Sequence, residues 1–207
     1  MRLSQMAAAP SKNPPKEADT INHKLLVQGG FVRQLMAGSY SYLPMGLITL
    51  RKIEQIVREE MNAIDGEEIL MPILHPSEIW KQSGGWEAVD VLFKLKSRTD
   101  KDYALGQSQE EVVTPLMKEF IQSYRDLPKA IYHIQWKFRD ELRAKSGIMR
   151  TREFLMKDMY SWHTDQEDFE RFYERCKQAY LKIFSRLGLD AKVTEASGGS
   201  FTEKISY

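Results

Sequence analysis

The sequence has only one cysteine, Cys176, among its 207 residues. One thiol excludes an internal disulfide bond and every metal site that needs two or more thiolates. A reducing compartment is therefore expected, and we predict a cytoplasmic protein. The chain also lacks any apolar run near the roughly 18 residues that a membrane helix requires, and its first six residues lack the apolar core of a secretory signal. No membrane partner is expected.

An excess of charge of either sign is missing as well. Thirty Lys and Arg residues oppose 29 Asp and Glu residues, which gives a formal net charge of +1. A nucleic-acid partner would have to be held by local basic patches, because the global charge supplies no attraction. The four histidines show no metal-ligand spacing, so no metal site in the protein is predicted.

The order of polar and apolar segments predicts one large domain. Residues 1–20 are expected to form an extended N-terminal segment, because prolines are frequent there and little can be buried. The domain is predicted to cover residues 21–207. Apolar residues at helical spacing predict a long amphipathic helix from Leu47 to Met61. Short apolar or alternating runs predict strands at residues 68–74, 91–96 and 103–106.

Two further helices are expected. The first is predicted from about Gln109 to Tyr124, where Pro115 either kinks the helix or lies in the first turn of a new one. The second is predicted to begin at a capping box formed by Thr164 and Glu167 and to stop at Gly188. Its apolar face would place the single cysteine in the core.

A long antiparallel hairpin is predicted between these helices. Residues 131–141 and 149–163 are rich in aromatic and β-branched side chains, and the polar loop 142–148 separates them. The regular βαβ alternation of a parallel sheet is absent. The predicted fold class is therefore α+β, with an antiparallel β-sheet flanked by helices.

The hairpin carries an unusual density of charge for a sheet. Alternation along a strand places Arg139 and Glu141 on one face, and Arg150, Arg152 and Phe154 on one face of the returning strand. Guanidinium groups that bind phosphate, a carboxylate and a ring that stacks on a base would suit a nucleotide. Cross-strand ion pairing on a solvated sheet face is the alternative.

The two strands of this hairpin also resemble a known motif. Phe138-Arg139-Asp140-Glu141, a loop, and Arg150-Thr-Arg-Glu-Phe154 are similar to motif 2 of class II aminoacyl-tRNA synthetases. The similarity extends from MRLSQ at the first residue to KIFSRLGL at residues 182–189, and it is specific to the bacterial-type prolyl-tRNA synthetases. It implies part of a class II catalytic domain that activates L-proline with ATP and Mg²⁺ and transfers it to tRNA(Pro).

The resemblance implies a role for each motif residue. Arg139 would be the catalytic residue, holding both the α-phosphate of ATP and the carboxylate of proline. Glu141 would read adenine, Phe154 would stack on it, and Arg150 would support the triphosphate. The exposed basic residues Arg143 and Lys145 of the loop would contact the tRNA acceptor end.

Proline binding is expected at residues 105–111, which match a Thr-x-Glu loop of the family with serine in place of threonine. Ser108 would supply a hydroxyl acceptor and Glu110 would pair with the cationic amine of proline. A capping box from Ser108 to Glu111 is the structural alternative. Met156 would line the proline pocket or would be a core methionine.

The resemblance has further consequences for assembly and activity. The region around Pro72 resembles motif 1, which implies a homodimer. Motif 3 and an anticodon-binding domain are not found by Tyr207, so these 207 residues are expected to be impaired or inactive alone. A synthetase-like nucleotide- or tRNA-binding regulatory protein without ligase activity, or a synthetase for another small amino acid, are the alternatives. Zinc-dependent threonine recognition is disfavoured, because the one cysteine has no suitably spaced histidine pair.

Overall fold

The computed structural model describes residues 2–13, 15, 18, 20–197 and 205–206. Its helices and strands follow along the chain in the order α1 (Ile21–Gln28), β1 (Val32–Met36), β2 (Ser39–Tyr42), α2 (Pro44–Asn62), β3 (Glu67–Glu68), β4 (Leu74–Pro76), α3 (Ser77–Ser83), α4 (Gly85–Ala88), β5 (Phe93–Lys96), β6 (Asp102–Leu105), α5 (Glu110–Lys118), β7 (Lys129–Phe138), β8 (Glu153–Trp162), α6 (Gln166–Arg186), β9 (Ala196–Ser197) and β10 (Ile205–Ser206). Helices and small sheets alternate irregularly, which confirms the predicted α+β class.

Most of the described strands pair in antiparallel fashion, as predicted. Strand β1 pairs with β2, β6 lies between β4 and β5, and β9 pairs with β10, all antiparallel. In the remaining sheet β7 lies between β3 and β8. The two-residue strand β3 runs parallel to β7, a pairing that the sequence did not predict.

The chain divides into two units. The first comprises Met1–Lys52, Leu70–Phe120 and His133–Asp158, and the second comprises Ile53–Ile69, Ile121–Tyr132 and Met159–Tyr207. A cluster in the first unit joins Trp80, Leu92 and Ala104, against which Ile79, Trp86 and Val89 pack. This cluster anchors the sheet of β4, β6 and β5.

A buried histidine belongs to the same packing. The Trp80 indole N–H donates to His75 Nδ1 at 3.2 Å, so the other ring nitrogen carries the proton and donates to the Pro72 carbonyl at 3.0 Å. Burial lowers the pKa of His75 and favours this neutral form. The residue therefore fixes the chain around β4.

The second unit is held by ion pairs on one buried carboxylate. Glu60 in α2 is only 4 % exposed. Arg186 and Lys182 of α6 contact its two oxygens at 2.6 and 2.9 Å. Burial acts to raise the pKa of Glu60, but the two cations outweigh it and leave this pKa lowered. The carboxylate is therefore charged and paired.

Helix boundaries differ from the predictions in several places. The long helix is confirmed as α2, whereas α5 ends at Lys118, short of the predicted Tyr124. Pro115 lies inside α5 without starting a new helix, and the N-cap is Gln109, so the capping box at Ser108 is wrong. The cap of α6 was misplaced by one residue, because Asp165 and not Thr164 accepts the N–H of Asp168.

The helix α6 ends where the sequence predicted. Gly188 follows the helix with a φ of +75°, a left-handed conformation that glycine adopts without a steric penalty. Cys176 on this helix is half-buried, so it is less enclosed than expected.

The N-terminal segment is described in part. Residues 1, 14, 16, 17 and 19 of the predicted extended segment 1–20 lie outside the described residues, as do residues 198–204 and 207. Leu3–Gln5 form a 3₁₀ turn, and the Ser11 N–H donates to the Gln28 carbonyl at 2.8 Å. In the described ranges, no helix has the length and apolarity to span a membrane.

Candidate active site

The charged hairpin is formed by β7 and β8, and its part from His133 to Asp158 belongs to the first unit. The Arg139 N–H donates to the Arg152 carbonyl at 2.8 Å, and His133 Nε2 lies 2.9 Å from Asp158 Oδ2. Both pairs fit a single antiparallel register of the segment 133–139 against the segment 152–158. The alternation of side chains then places Arg139 and Phe154 on the same face, as predicted.

A cavity of about 350 Å³ opens at the loop end of the hairpin. Its walls are formed by Tyr42, Leu50, Arg139, Glu141, Ile148, Met149, Arg150, Thr151, Phe154 and Leu155. The volume lies within the roughly 300–1,000 Å³ range of small-molecule sites. The structure thus brings together the four residues that the sequence assigned to the nucleotide.

Glu141 and Arg150 form a forked ion pair at the cavity wall. The Nε and Nη2 atoms of Arg150 lie 2.9 and 2.7 Å from Glu141 Oε2. Two charge-assisted contacts to the same oxygen favour one orientation of the carboxylate, while solvent around the half-exposed Arg150 side chain weakens the ion pair. Within the described part of the chain, the second oxygen, Oε1, receives no hydrogen bond. Glu141 is therefore oriented by one oxygen and retains the other as an acceptor.

Arg139 lies against the aromatic wall. Its guanidinium carbon is 5.3 Å from the centre of the Phe154 ring, a cation–π distance. Its Nη2 donates to the Gln107 carbonyl at 3.4 Å, a long bond, and its buried Nε has no partner among the described residues. A guanidinium has five N–H donors, so most of those of Arg139 remain available to an anion.

The predicted proline loop lies close to Arg139 through that same Gln107 carbonyl. Ser108 is buried and its hydroxyl accepts from the Gln107 side-chain amide at 2.8 Å. Glu110 faces a second cavity of about 520 Å³, and its Oε2 is buried without a partner in the described ranges. Met156 is half-buried. Ser108, Glu110 and Met156 do not belong to the walls of the nucleotide-sized cavity.

The two basic residues predicted to contact tRNA are exposed in the loop between β7 and β8. The Lys145 backbone N–H donates to the Arg150 carbonyl at 3.1 Å, which ties the loop to the start of β8. The Arg143 and Lys145 side chains are open to solvent. Neither side chain lines the cavity.

A buried charged cluster lies on the same strands, and the sequence did not predict it. Lys137 is fully buried, and its Nζ is 2.9 Å from both His133 Nε2 and Asp158 Oδ2. Burial lowers the pKa of Lys137, which the ion pair with Asp158 opposes. Burial acts to raise the pKa of Asp158, but hydrogen bonds from His133 and Lys137 leave it lowered.

Sequence reasoning missed several residues of this region for an identifiable reason. Lys137 lies two positions before Arg139, so strand alternation predicts that both side chains lie on the same face of the sheet. A single lysine in a strand is usually exposed to solvent, so the burial of Lys137 was not expected. Tyr42 and Leu50 reach the cavity from distant segments, and no local pattern indicates such contacts.

Comparison with known proteins confirms the resemblance to class II synthetases. A family model described as the tRNA synthetase class II core domain (G, H, P, S and T) matches residues 93–206. Proline–tRNA ligase 1 of Anaeromyxobacter dehalogenans is 50 % identical over 201 residues, which cover 97 % of this chain and 35 % of that protein. The enzyme of Thermotoga neapolitana is 46 % identical over 208 residues, with coverages of 100 % and 36 %. The chain spans about a third of the length of these curated relatives.

Solved structures share the fold at lower identity. Prolyl-tRNA synthetase of Cryptosporidium parvum, solved with L-proline and AMP, superposes with a TM-score of 0.70 at 18 % identity, covering 79 % of this chain and 34 % of that one. The Giardia lamblia enzyme, solved with prolyl-adenylate, gives 0.69 at 23 % identity, with coverages of 75 % and 33 %. Because the family model matches more than half of the residues, the chain belongs to the class II tRNA synthetase core family.

Proposed function

We propose that this chain provides the ATP-binding part of a proline–tRNA ligase catalytic domain, and that residues 21–207 belong to that domain. The observation that carries the proposal is the convergence of Arg139, Glu141, Arg150 and Phe154 on one cavity. Relatives at about half identity are proline–tRNA ligases, which supports the choice of amino acid.

The proposed reaction has two steps. The carboxylate of proline attacks the α-phosphorus of ATP, the bond to the leaving phosphate breaks, and prolyl-adenylate and pyrophosphate form. The terminal ribose hydroxyl of tRNA(Pro) then attacks the prolyl carbonyl, and AMP leaves. Phosphoryl chemistry of this kind depends on positioning and charge neutralisation, so no side chain need act as a nucleophile.

The geometry assigns these tasks to specific atoms. The available N–H groups of Arg139 would neutralise the α-phosphate and the attacking carboxylate. Glu141 Oε1 would accept from the adenine amino group while Arg150 holds Oε2, so the roles of the two residues are compatible. Phe154 would stack on the base. Arg150 is more than half exposed and would reach the triphosphate from the rim.

Proline is proposed to bind beside Gln107. The unpartnered Glu110 carboxylate oxygen would pair with the secondary ammonium, Ser108 would add a hydroxyl contact, and Met156 would pack on the ring. Ser108 directly follows the residue whose carbonyl Arg139 contacts, and Glu110 lies two residues further on, which supports a shared site.

Mg²⁺ would enter the reaction bound to ATP. The described residues include no group of three His, Cys, Asp or Glu side chains that could hold a metal ion. Mg²⁺ commonly takes phosphate oxygens and water as most of its ligands, and the proposal assigns the ion no residue here.

The remaining partners are also proposals. Arg143 and Lys145 would contact phosphates of the tRNA acceptor end from the exposed loop. A homodimer would form through the region around Pro72, and exposed leucines on both sides of that residue support this assignment. A cytoplasmic location follows from the proposed activity and agrees with the single cysteine.

The activity can be tested by ATP–pyrophosphate exchange with the product of the gene that encodes this chain. We expect exchange to depend on proline and not on alanine or serine. Arg139→Ala should reduce exchange by at least 100-fold, since removing one preorganised transition-state contact costs 10²–10³ in rate. Arg171→Ala, an exposed residue of α6, is the matched control and should leave the rate unchanged.

Three results would contradict the proposal. Exchange stimulated more by alanine or serine than by proline would refute the amino-acid assignment. Full exchange by the Arg139→Ala protein would refute the role of this residue. Nucleotide binding without exchange for any amino acid would favour a regulatory binding protein.

A further inference from the structure

Arg152 holds the main chain of the site without lining the cavity. Its Nε donates to the Glu141 carbonyl at 3.0 Å, and its Nη1 donates to the Ala37 carbonyl at 2.6 Å. Both acceptors belong to the backbone. The side chain is about one quarter exposed, and an Asp140 oxygen lies 4.0 Å from its Nε. One guanidinium therefore connects the loop that follows β7 with the turn between β1 and β2.

The backbone of Arg152 strengthens this connection. Its N–H donates to the Gly38 carbonyl at 2.8 Å, and its carbonyl accepts the Arg139 N–H at 2.8 Å. Arg152 thus contacts the main chain of both Arg139 and Glu141. These are the residues proposed to hold phosphate and to read adenine.

The turn between β1 and β2 is shaped for this approach. Gly38 has a φ of +81°, which L side chains rarely adopt. A Cβ at this position would lie 2.7 Å from the Ala144 side chain and 2.9 Å from the Arg152 nitrogen. Next to it, the Ser39 hydroxyl donates to Glu153 Oε2 at 3.1 Å. The close contact of this turn with β8 therefore depends on glycine.

We propose that Arg152 is a positioning residue for nucleotide recognition, which sets the main chain at Arg139 and Glu141 against the Ala37–Gly38 turn. Adenine selection then depends on a residue that touches no part of the nucleotide. The inference rests on the proposed function, because it takes Glu141 as the reader of adenine. Displacements near 1 Å in a positioned group are costly for binding and catalysis, and hydrogen bonds from a rigid guanidinium oppose them.

The test compares binding of the non-hydrolysable analogues AMPPNP and GMPPNP by calorimetry. Adenine selection is measured by the dissociation constant of GMPPNP divided by that of AMPPNP. A general loss of stability does not change this ratio. Arg152→Gln should lower the preference for AMPPNP by about tenfold, which corresponds to about 1.4 kcal/mol, because the hydrogen bonds to both carbonyls are lost. Arg152→Lys keeps the charge but has one nitrogen in place of the two guanidinium nitrogens that reach the two carbonyls, so it should show an intermediate ratio.

Two variants complete the design. Gly38→Ala keeps the Arg152 side chain but forces a Cβ against the Ala144 side chain and the Arg152 nitrogen, and it should shift the ratio in the same direction. Arg171→Gln, which removes an exposed guanidinium of α6, should leave the ratio at the wild-type value. Thermal melting of each variant shows whether it folds.

The outcomes are distinguishable. A wild-type ratio in folded Arg152→Gln or, if that variant does not fold, in Arg152→Lys would overturn the inference, even if the melting temperature falls. Failure of the wild-type product of the gene that encodes this chain to bind AMPPNP would refute the proposed function itself. A lowered ratio in both the Arg152 and Gly38 variants would support positioning through the turn.

Discussion

Individual residues show how this fold tolerates charge in its interior. Lys137 has no exposed surface, yet its ammonium group has two partners at 2.9 Å. His133 Nε2 contacts both Lys137 and Asp158, whereas its Nδ1 is buried without a partner in the described part of the chain. A buried ion pair of this kind gives little net stability, but loss of one member leaves an uncompensated charge.

The first prediction concerns this pair. Asp158→Asn should lower the free energy of unfolding by about 3–5 kcal/mol, because Lys137 would remain buried without its counter-charge. Adding Lys137→Met should recover most of the loss, since a neutral side chain of similar length needs no partner. Urea unfolding of the two proteins measures the difference. An unchanged midpoint for Asp158→Asn would show that the charge of this carboxylate is unimportant.

Elements are linked in the second unit by the hydroxyl of one buried tyrosine. Tyr132 of β7 donates to Asn62 Oδ1 at 2.6 Å and lies 3.2 Å from Glu68 Oε2. It thus ties β7 to the end of α2 and to β3. Burial, followed by the charge of Glu68, raises the pKa of Tyr132 to about 12.

This raised pKa predicts a stability change at alkaline pH. The folded protein keeps the phenol proton above pH 10, where the unfolded chain loses it, so the contribution of Tyr132 is complete below pH 10 and disappears as pH rises towards 12. The difference in unfolding free energy between wild type and Tyr132→Phe should therefore shrink by about 2 kcal/mol over this window. Guanidinium unfolding at several pH values measures it, and a constant difference would contradict the prediction.

Element boundaries also show the limits of local patterns. The helix α2 was predicted from its apolar spacing. That spacing indicated the helix although only Met61 of the predicted face is fully buried and Leu47 and Ile53 are exposed. The helix α5 ends earlier than its apolar spacing suggested, and residues 124–126 form a separate 3₁₀ turn with their own cap at Ser123. Apolar residues that continue at helical spacing do not require a continuous helix, since tertiary contacts can bury them in another conformation.

At the scale of the whole molecule, exposed apolar side chains flank Pro72. Leu70 is 75 % exposed and Leu74 is 52 % exposed. Surface leucines are common individually, but these two lie in the segment that resembles the dimer-forming motif of the family. Burial against a second copy of the chain would remove both from water.

The third prediction tests this assembly. If the homodimer forms here, Leu70→Ser combined with Leu74→Ser should raise the dimer dissociation constant at least tenfold, because each buried leucine contributes about 1.5–3 kcal/mol. Sedimentation velocity across a concentration series measures the constant. Leu189→Ser, at a similarly exposed leucine far along the sequence, is the control and should leave it unchanged. A monomer at every concentration of the wild-type protein would reject the dimer.

The sequence by itself determined the family, the α+β class and four of the residues that line the cavity. Motif 2 combines short-range features, namely strand alternation and fixed spacing, so Arg139, Glu141, Arg150 and Phe154 were identifiable without coordinates. The same local information placed the stop of α6 at Gly188, because a left-handed residue after a helix favours glycine.

Only the tertiary structure decided which distant segments complete the site. The contact of Arg152 with the Ala37–Gly38 turn joins residues more than 100 positions apart, and the pairing of Lys137 with Asp158 depends on the register of two strands. Such contacts are set by how the segments pack and not by neighbours along the chain. The physical reason is that a spacing pattern fixes which side chains share a face, whereas packing fixes what that face meets.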